Sequence, residues 1–342
     1  MMNNYPGKGK TILLGMPNWF LFNEIKTSLE ELGFRVIDIS FSNKFKYANL
    51  KDRLISFVNK NIFRNLDYKA RLNFRDTSQN IIQTVENIDF QVDFCLLIRP
   101  DYYSVEFIEI LRNKCKSLIA YQWDGLDRFP WVTDRIHLFD RFFVFDPSDL
   151  KMAQVSPATN FYFNYHIENS REQDLSVYYL GLLTRKRMPK VFKLADYLNK
   201  IEVNYLFKLI TNKDKVIEKF NSASLNVQKS YISYEENISF VNRSKIIVDF
   251  LHDVHKGLSF RVFEAIGNDK KLILDNPEIL KYEFYDPANF FLVKDDNFNG
   301  LEEFINTPYK PLPDHVKQKY SFDNWIRYVL DIEPYQKIEL PH

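Results

Sequence analysis

Short runs of continuous apolar residues return along this chain with helix-forming segments between them, and that alternation limits the fold more than any other feature. In the first half the runs are TILLGMP (11–17), RVIDIS (35–40), DFCLLIRP (93–100), SLIAYQWD (117–124), DRFFVFDP (140–147) and NFYFNYH (160–166). Apolar strands without polar alternation, separated by helices, read as parallel sheet covered on both faces. The polar stretch IENSREQDLS (167–176) interrupts the series, which then restarts with VYYLGLLT (177–184), NYLFKLIT (204–211), VQKSYIS (227–233), KIIVDFL (245–251), KLILDN (271–276) and NFFLV (289–293). At 342 residues the chain exceeds the roughly 250–300 at which one core gives way to two. The expectation is therefore an α/β protein of two domains, residues 1–168 and 169–318, with a C-terminal helix in 319–342 that crosses back to the first. Right-handed βαβ connections would bring the C-terminal strand edges of both sheets to a common cleft.

Charge and cysteine content narrow the function classes. A net charge of +1 provides no global field for recruiting nucleic acid, so any electrostatic function must come from local patches. Cys95 and Cys115 have no CxxC spacing and read as reduced thiols of a cytoplasmic protein. The apolar run after the N-terminal lysines is too short to span a membrane. The sequence contains no Walker A, GxGxxG, GxSxG or HExxH pattern, which weakens NTPase, dinucleotide, hydrolase and zinc-protease readings.

The stretch HKGLSFRVFEAIGNDKKLILDN (255–276) concentrates the candidate chemistry. Its helix is expected to start near Leu258 or Ser259, with Ser259 as N-cap, so that free N–H groups and the helix dipole favour an anion such as a diphosphate. Arg261 would add a bidentate donor to that anion, and Glu264, one turn on, would accept the two hydroxyls of a ribose. The plainer alternative is an exposed i to i+3 ion pair. Arg185, Lys186 and Arg187 follow the strand 177–184, where they could clamp a leaving diphosphate or form an ordinary solvated helix start. His252, His255, Lys256 and Gly257 form the loop before the helix, and either histidine could bond a phosphate or sugar; a third metal ligand at a recognised spacing is not evident.

Asp124 ends the strand 117–124, a sheet edge where a carboxylate or histidine could take a proton as general base. Asp124 is the first candidate for that base and His252 the histidine candidate; Asp101 is a second carboxylate at a strand end, and a structural Trp–Asp turn is the plainer alternative. Asp127 is read as a cap or a partner of Arg128. Residues 41–75 carry nine Lys or Arg against two Asp, with Phe45, Leu54, Phe57, Val58, Ile62, Phe63 and Leu66 at near-helical spacing. That pattern suits either a helix on an anionic membrane or a core helix with a basic outer face, with no fold motif for nucleic acid.

Residues 257–293, GLSFRVFEAIGNDKKLILDNPEILKYEFYDPANFFLV, resemble the donor-binding signature of GT-B glycosyltransferases of the CgeB-like, group 1 type of bacterial lipopolysaccharide and capsule clusters. YQWDGLDRFP (121–130) and FDRFFVFDPSDL (139–150) resemble further segments of the same group. The resemblance implies the GT-B fold, two Rossmann-like domains with parallel sheets facing a central cleft, the first for the acceptor and the second for a nucleotide-activated sugar. It implies transfer of that sugar to a lipopolysaccharide, capsule or other surface-glycan acceptor; residues 41–75 would place the chain at the inner face of the cytoplasmic membrane, and the cations and helix dipole would neutralise the diphosphate without a cofactor or metal. Retaining relatives carry an acid eight positions before the helix glutamate; here that position is Lys256, which favours inversion. The competing readings are a nucleotide-sugar epimerase and a non-catalytic glycan-assembly protein of the same fold.

Overall fold

In a computed structural model, the structure describes residues 5–17, 21–41, 47, 49–61, 68, 72, 74–75, 78–164, 173–251 and 256–341. The chain forms two compact units, one of Met1–Thr159, Val254–Gly257 and Asp323–His342, the other of Asn160–Asp253 and Leu258–Phe322. Among the described residues each unit contains one six-stranded sheet, parallel throughout.

The first unit runs β1 (Thr11–Gly15), α1 (Phe22–Glu31), β2 (Arg35–Asp38), α2 (Leu50–Asn61), α3 (Gln79–Glu86), β3 (Val92–Ile98), α4 (Val105–Lys114), β4 (Cys115–Gln122), β5 (Arg141–Val144) and β6 (Val155–Pro157). Its strand order is β2-β1-β3-β4-β5-β6. The apolar runs form the strands because both faces are covered: Leu13, Cys95, Leu97, Leu118, Ala120 and Val144 lie in one core with Phe107, Ile108 and Leu111 of α4. The α4 helix starts where the Ser104 hydroxyl accepts the Phe107 N–H, and Arg112 and Lys114 in its last turn complement the dipole. Cys95 and Cys115 are free and buried.

The second unit runs β7 (Leu175–Leu182), α5 (Arg187–Lys200), β8 (Tyr205–Ile210), α6 (Asp214–Phe220), β9 (Leu225–Gln228), α7 (Tyr234–Arg243), β10 (Ser244–Asp249), α8 (Phe260–Gly267), β11 (Lys271–Leu274), β12 (Phe290–Leu292), α9 (Leu301–Asn306) and α10 (Asp314–Lys319). The strand order is β12-β11-β10-β7-β8-β9. Successive residues of β7 face opposite ways, Tyr179 towards Val191 and Leu194 of α5 and Tyr178 towards Val262 and Ile266 of α8. The chain builds outward from β7 through β8 to β9, then returns to the other flank of β7 with β10. The strand order therefore reverses at the β7–β10 pair, the place where open α/β sheets bind ligands.

The last helix, α11 (Phe322–Leu330), starts in the second unit and belongs to the first from Asp323 onward. Trp325 donates from Nε1 to the Thr159 carbonyl at 2.9 Å, and Arg141 donates to the Tyr328 and Val329 carbonyls at 2.9 and 3.0 Å.

One expected strand is absent. The NFYFNYH run forms no ladder in its described part, where Tyr162 makes a single bridge to Ser321, and the sixth strand of the first unit is β6 instead. Phe161 and Phe163 are buried edge-on or tilted against each other, Phe260 and Phe322. Aromatic packing supplied the apolar run that reads as a strand.

Candidate functional site

The α8 helix starts at the switch point of the second unit. Ser259 is its N-cap: the hydroxyl accepts the Arg261 N–H at 3.2 Å and donates to Asp249 Oδ2, at the end of β10, at 2.7 Å. The cap thereby ties the helix start to the strand end. The Arg261 guanidinium lies across the two central strands, its Nη1 donating to the Leu180 carbonyl of β7 and, at 3.4 Å, to the Val248 carbonyl of β10.

Arg261 Nε is 4.0 Å from Glu264 Oε2, and the side chains are only 18% and 4% exposed, so the alternative of an exposed ion pair is overturned. Glu264 is a core residue of α8, accepting from Asn237 Nδ2 at 3.4 Å and from the Tyr234 hydroxyl. Burial pushes its carboxyl up to about 7, against the pull of Arg261 and those two donors. A carboxylate enclosed in this way supports Arg261 from below. The ribose contact expected of it falls on a carboxylate that α7 encloses through Asn237.

The basic trio lies at the start of α5. Arg185 and Lys186 are exposed, while Arg187 is half-buried, with its N–H on Thr184 Oγ1 at 3.3 Å and its Nε on the Leu251 carbonyl at 3.5 Å. The first turn of α5 holds no acid, so the helix start itself supplies no carboxylate to these cations. Lys190, one turn further, pairs with Asp275, which also accepts the Leu251 N–H at 2.6 Å. The structure thus brings Arg187, Ser259 and Arg261 to one sheet edge.

Lys256 and Gly257 lie three and two residues before Ser259 in the chain. Both belong to the first unit, where the Lys256 N–H donates to Asp146 Oδ2 at 2.7 Å. Gly257 lies so close to Phe145 that a Cβ would meet its ring and its carbonyl at 2.6 Å. Backbone hydrogen bonding and close packing, which residue type did not reveal, decide their place. His252 and His255 lie outside the described residues.

In the first unit the strand-end acids form an ion-pair network. Arg99 has φ 64° before Pro100, a backbone region that a residue preceding proline rarely takes. Its guanidinium is held by Asp101, at 2.6 and 2.8 Å, and by Asp124, and lies 4.1 Å from the centre of the Phe129 ring. Asp124 also accepts from Arg128 at 3.1 Å, so each of its carboxylate oxygens is paired with a guanidinium. Arg128 pairs with Asp124, i to i+4, rather than with Asp127. Asp149 is enclosed nearby, and burial pushes it up to about 6 against the Leu126 N–H it accepts at 2.9 Å.

Sequence reading passed over Arg99, Asp249 and Tyr179. For the first two the signal was their position, a charged residue within or just after an apolar strand run. Of residues 41–75, α2 exposes Leu50 (81%) and Leu54 (63%), one turn apart beside Lys51 and Arg53; much of the remainder lies outside the described residues. No helix among the described residues is long and apolar enough to cross a membrane, and none of their His, Cys, Asp and Glu side chains form a group of three placed to hold a metal.

The sequence matches no protein-family model and no curated protein. Solved structures do match in fold. A glycosyltransferase from Rickettsia africae ESF-5 superposes with a TM-score of 0.53 at 11% identity, over 94% of this chain and 97% of that one. An alpha-glucosyltransferase in complex with UDP and a DNA 13-mer containing an HMU base gives 0.51 at 11% identity, over 94% and 93%. TarM gives 0.51 at 11% identity, over 78% of this chain and 58% of its own. At such identities the likeness is one of architecture: the chain has the α/β GT-B fold expected from its sequence.

Proposed function

We propose that the chain is an inverting glycosyltransferase that needs no metal, with the second unit holding a nucleotide-activated sugar by its diphosphate and the first holding a glycan acceptor. The observation that carries this reading is the Arg261 guanidinium laid across the ends of β7 and β10, with the α8 N-terminus and Arg187 at the same sheet edge. Phosphates bind at such helix N-termini and strand-order reversals. The UDP carried by the alpha-glucosyltransferase of similar fold supports it.

As the bond from the anomeric carbon to the diphosphate oxygen breaks, charge builds on the leaving group. Arg261, Arg187 and the α8 N–H groups stabilise that charge without a metal. Glu264 holds Arg261 in place. The acceptor oxygen attacks the anomeric carbon and its proton passes to Asp124, whose Oδ1 becomes available when the 41% exposed Arg128 turns away; paired with a partly exposed guanidinium, this is the weaker of its two ion pairs. Lys256, in place of the acid of retaining relatives, favours inversion. The acceptor is a lipopolysaccharide, capsule or other surface glycan, and α2, with its exposed leucines among cations, rests on the anionic inner face of the cytoplasmic membrane.

Thermal-shift measurements with UDP-, GDP- and ADP-sugars, with single-phosphate CMP-sugars for contrast, test the diphosphate-donor assignment, since a ligand of the folded state raises its stability. A shift with none of the diphosphate sugars would overturn that assignment, and epimerised sugar from donor alone would overturn the transferase reading.

A further inference from the structure

Tyr179, on β7, lies 2% exposed among Phe207 and Phe250, yet its hydroxyl has no hydrogen-bond partner among the described residues. Leaving a buried hydroxyl unpaired is costly, and buried tyrosines usually find a partner. The phenol extends along β7 over Gly181: a Cβ there would stand 2.3 Å from Oη and 2.6 Å from Cζ. Gly181 therefore leaves room for the hydroxyl to reach the C-terminal end of the strand. The charges that act on it are those of the switch point. Burial raises its pKa, Arg187 and Arg261 lower it, and Asp249 and Asp275 raise it.

We infer that Tyr179 is a diphosphate-binding residue whose Oη donates a hydrogen bond to a phosphate oxygen held between Arg187 and Arg261. This rests on the donor-site reading above and adds to it a neutral donor from the strand itself. Two guanidinium groups attract an anion of any orientation. A fixed phenolic O–H within their field selects the rotation at which one phosphate oxygen points to the sheet. The half-buried Arg187 turns onto the same anion as it enters.

Tyr179→Phe removes the hydroxyl and keeps the ring. Binding of inorganic pyrophosphate, UDP, GDP and ADP is measured by titration calorimetry, and the thermal midpoint is recorded without ligand. The expected result has opposite signs: a midpoint unchanged or higher, because an unpaired hydroxyl is gone, and about tenfold weaker binding of both pyrophosphate and the preferred nucleoside diphosphate. Gly181→Ala, which displaces the phenol, is expected to weaken binding similarly. If the wild-type protein binds a nucleoside diphosphate and Tyr179→Phe binds it within twofold, this inference fails and the donor-site reading stands. Unchanged pyrophosphate affinity, or a lowered midpoint, also overturns it. If the wild-type protein binds none of the four, both readings fall together.

Discussion

Arg261 Nε stands 4.0 Å from Glu264 Oε2 on adjacent turns of α8, with the carboxylate enclosed by Asn237 and Tyr234. The pair divides two tasks. Glu264 is sunk in the core and holds the base of the guanidinium; Arg261 carries its charge to the ends of β7 and β10.

A buried carboxyl raised from 4.5 to about 7 makes stability depend on pH in a defined direction. The folded state binds the proton more tightly than the unfolded state, so this contribution is greatest below about pH 4.5 and is lost as pH rises through about 7, by about 3 kcal/mol. Asp149, raised by burial to about 6, acts in the same direction. Urea denaturation from pH 4.5 to 7.5 should show a shallower fall for Glu264→Gln than for the wild type. Equal slopes would contradict the buried placement of Glu264.

Arg261→Lys keeps a positive charge but loses the planar fork that reaches two strand carbonyls and an anion together. Nucleoside-diphosphate affinity should fall about tenfold or more, with Arg261→Ala at least as severe. Unaltered affinity by titration calorimetry would remove Arg261 from the donor site.

The Arg99 network should be unequally sensitive at its members. Arg99→Ala leaves Asp101 buried without its cation and Asp124 with only Arg128, and should cost about 3 kcal/mol or more. Asp124→Asn removes one charge while Asp101 still holds Arg99, and should cost closer to 1 kcal/mol. With turnover assayed alongside, an Asp124→Asn protein that is nearly as stable as wild type and inactive would support the proton-accepting role. One that is fully active would leave Asp124 as scaffold.

Leu50 and Leu54 are exposed on α2, so replacing both with Glu should change stability by less than about 1 kcal/mol in total. The same double substitution should abolish co-sedimentation with phosphatidylglycerol vesicles. Persistence of vesicle binding would show that α2 is not the contact.

By itself the sequence determined the α/β class, most of the strands and the start of α8. These follow from near-neighbour effects: continuous apolar runs, and a serine whose hydroxyl reaches an N–H two residues on. The run at 160–166 misled because apolarity reports burial and not the ladder. Tertiary structure alone decided the site. The meeting of β7 with β10 put Leu180 and Val248 within reach of one guanidinium, and the packing of α7 against α8 closed over Glu264. Asp124 met Arg99 across 25 residues, which made the candidate base a member of an ion-pair network. Contacts between residues far apart in the chain depend on strand order and helix packing, and no local pattern of residue types records them.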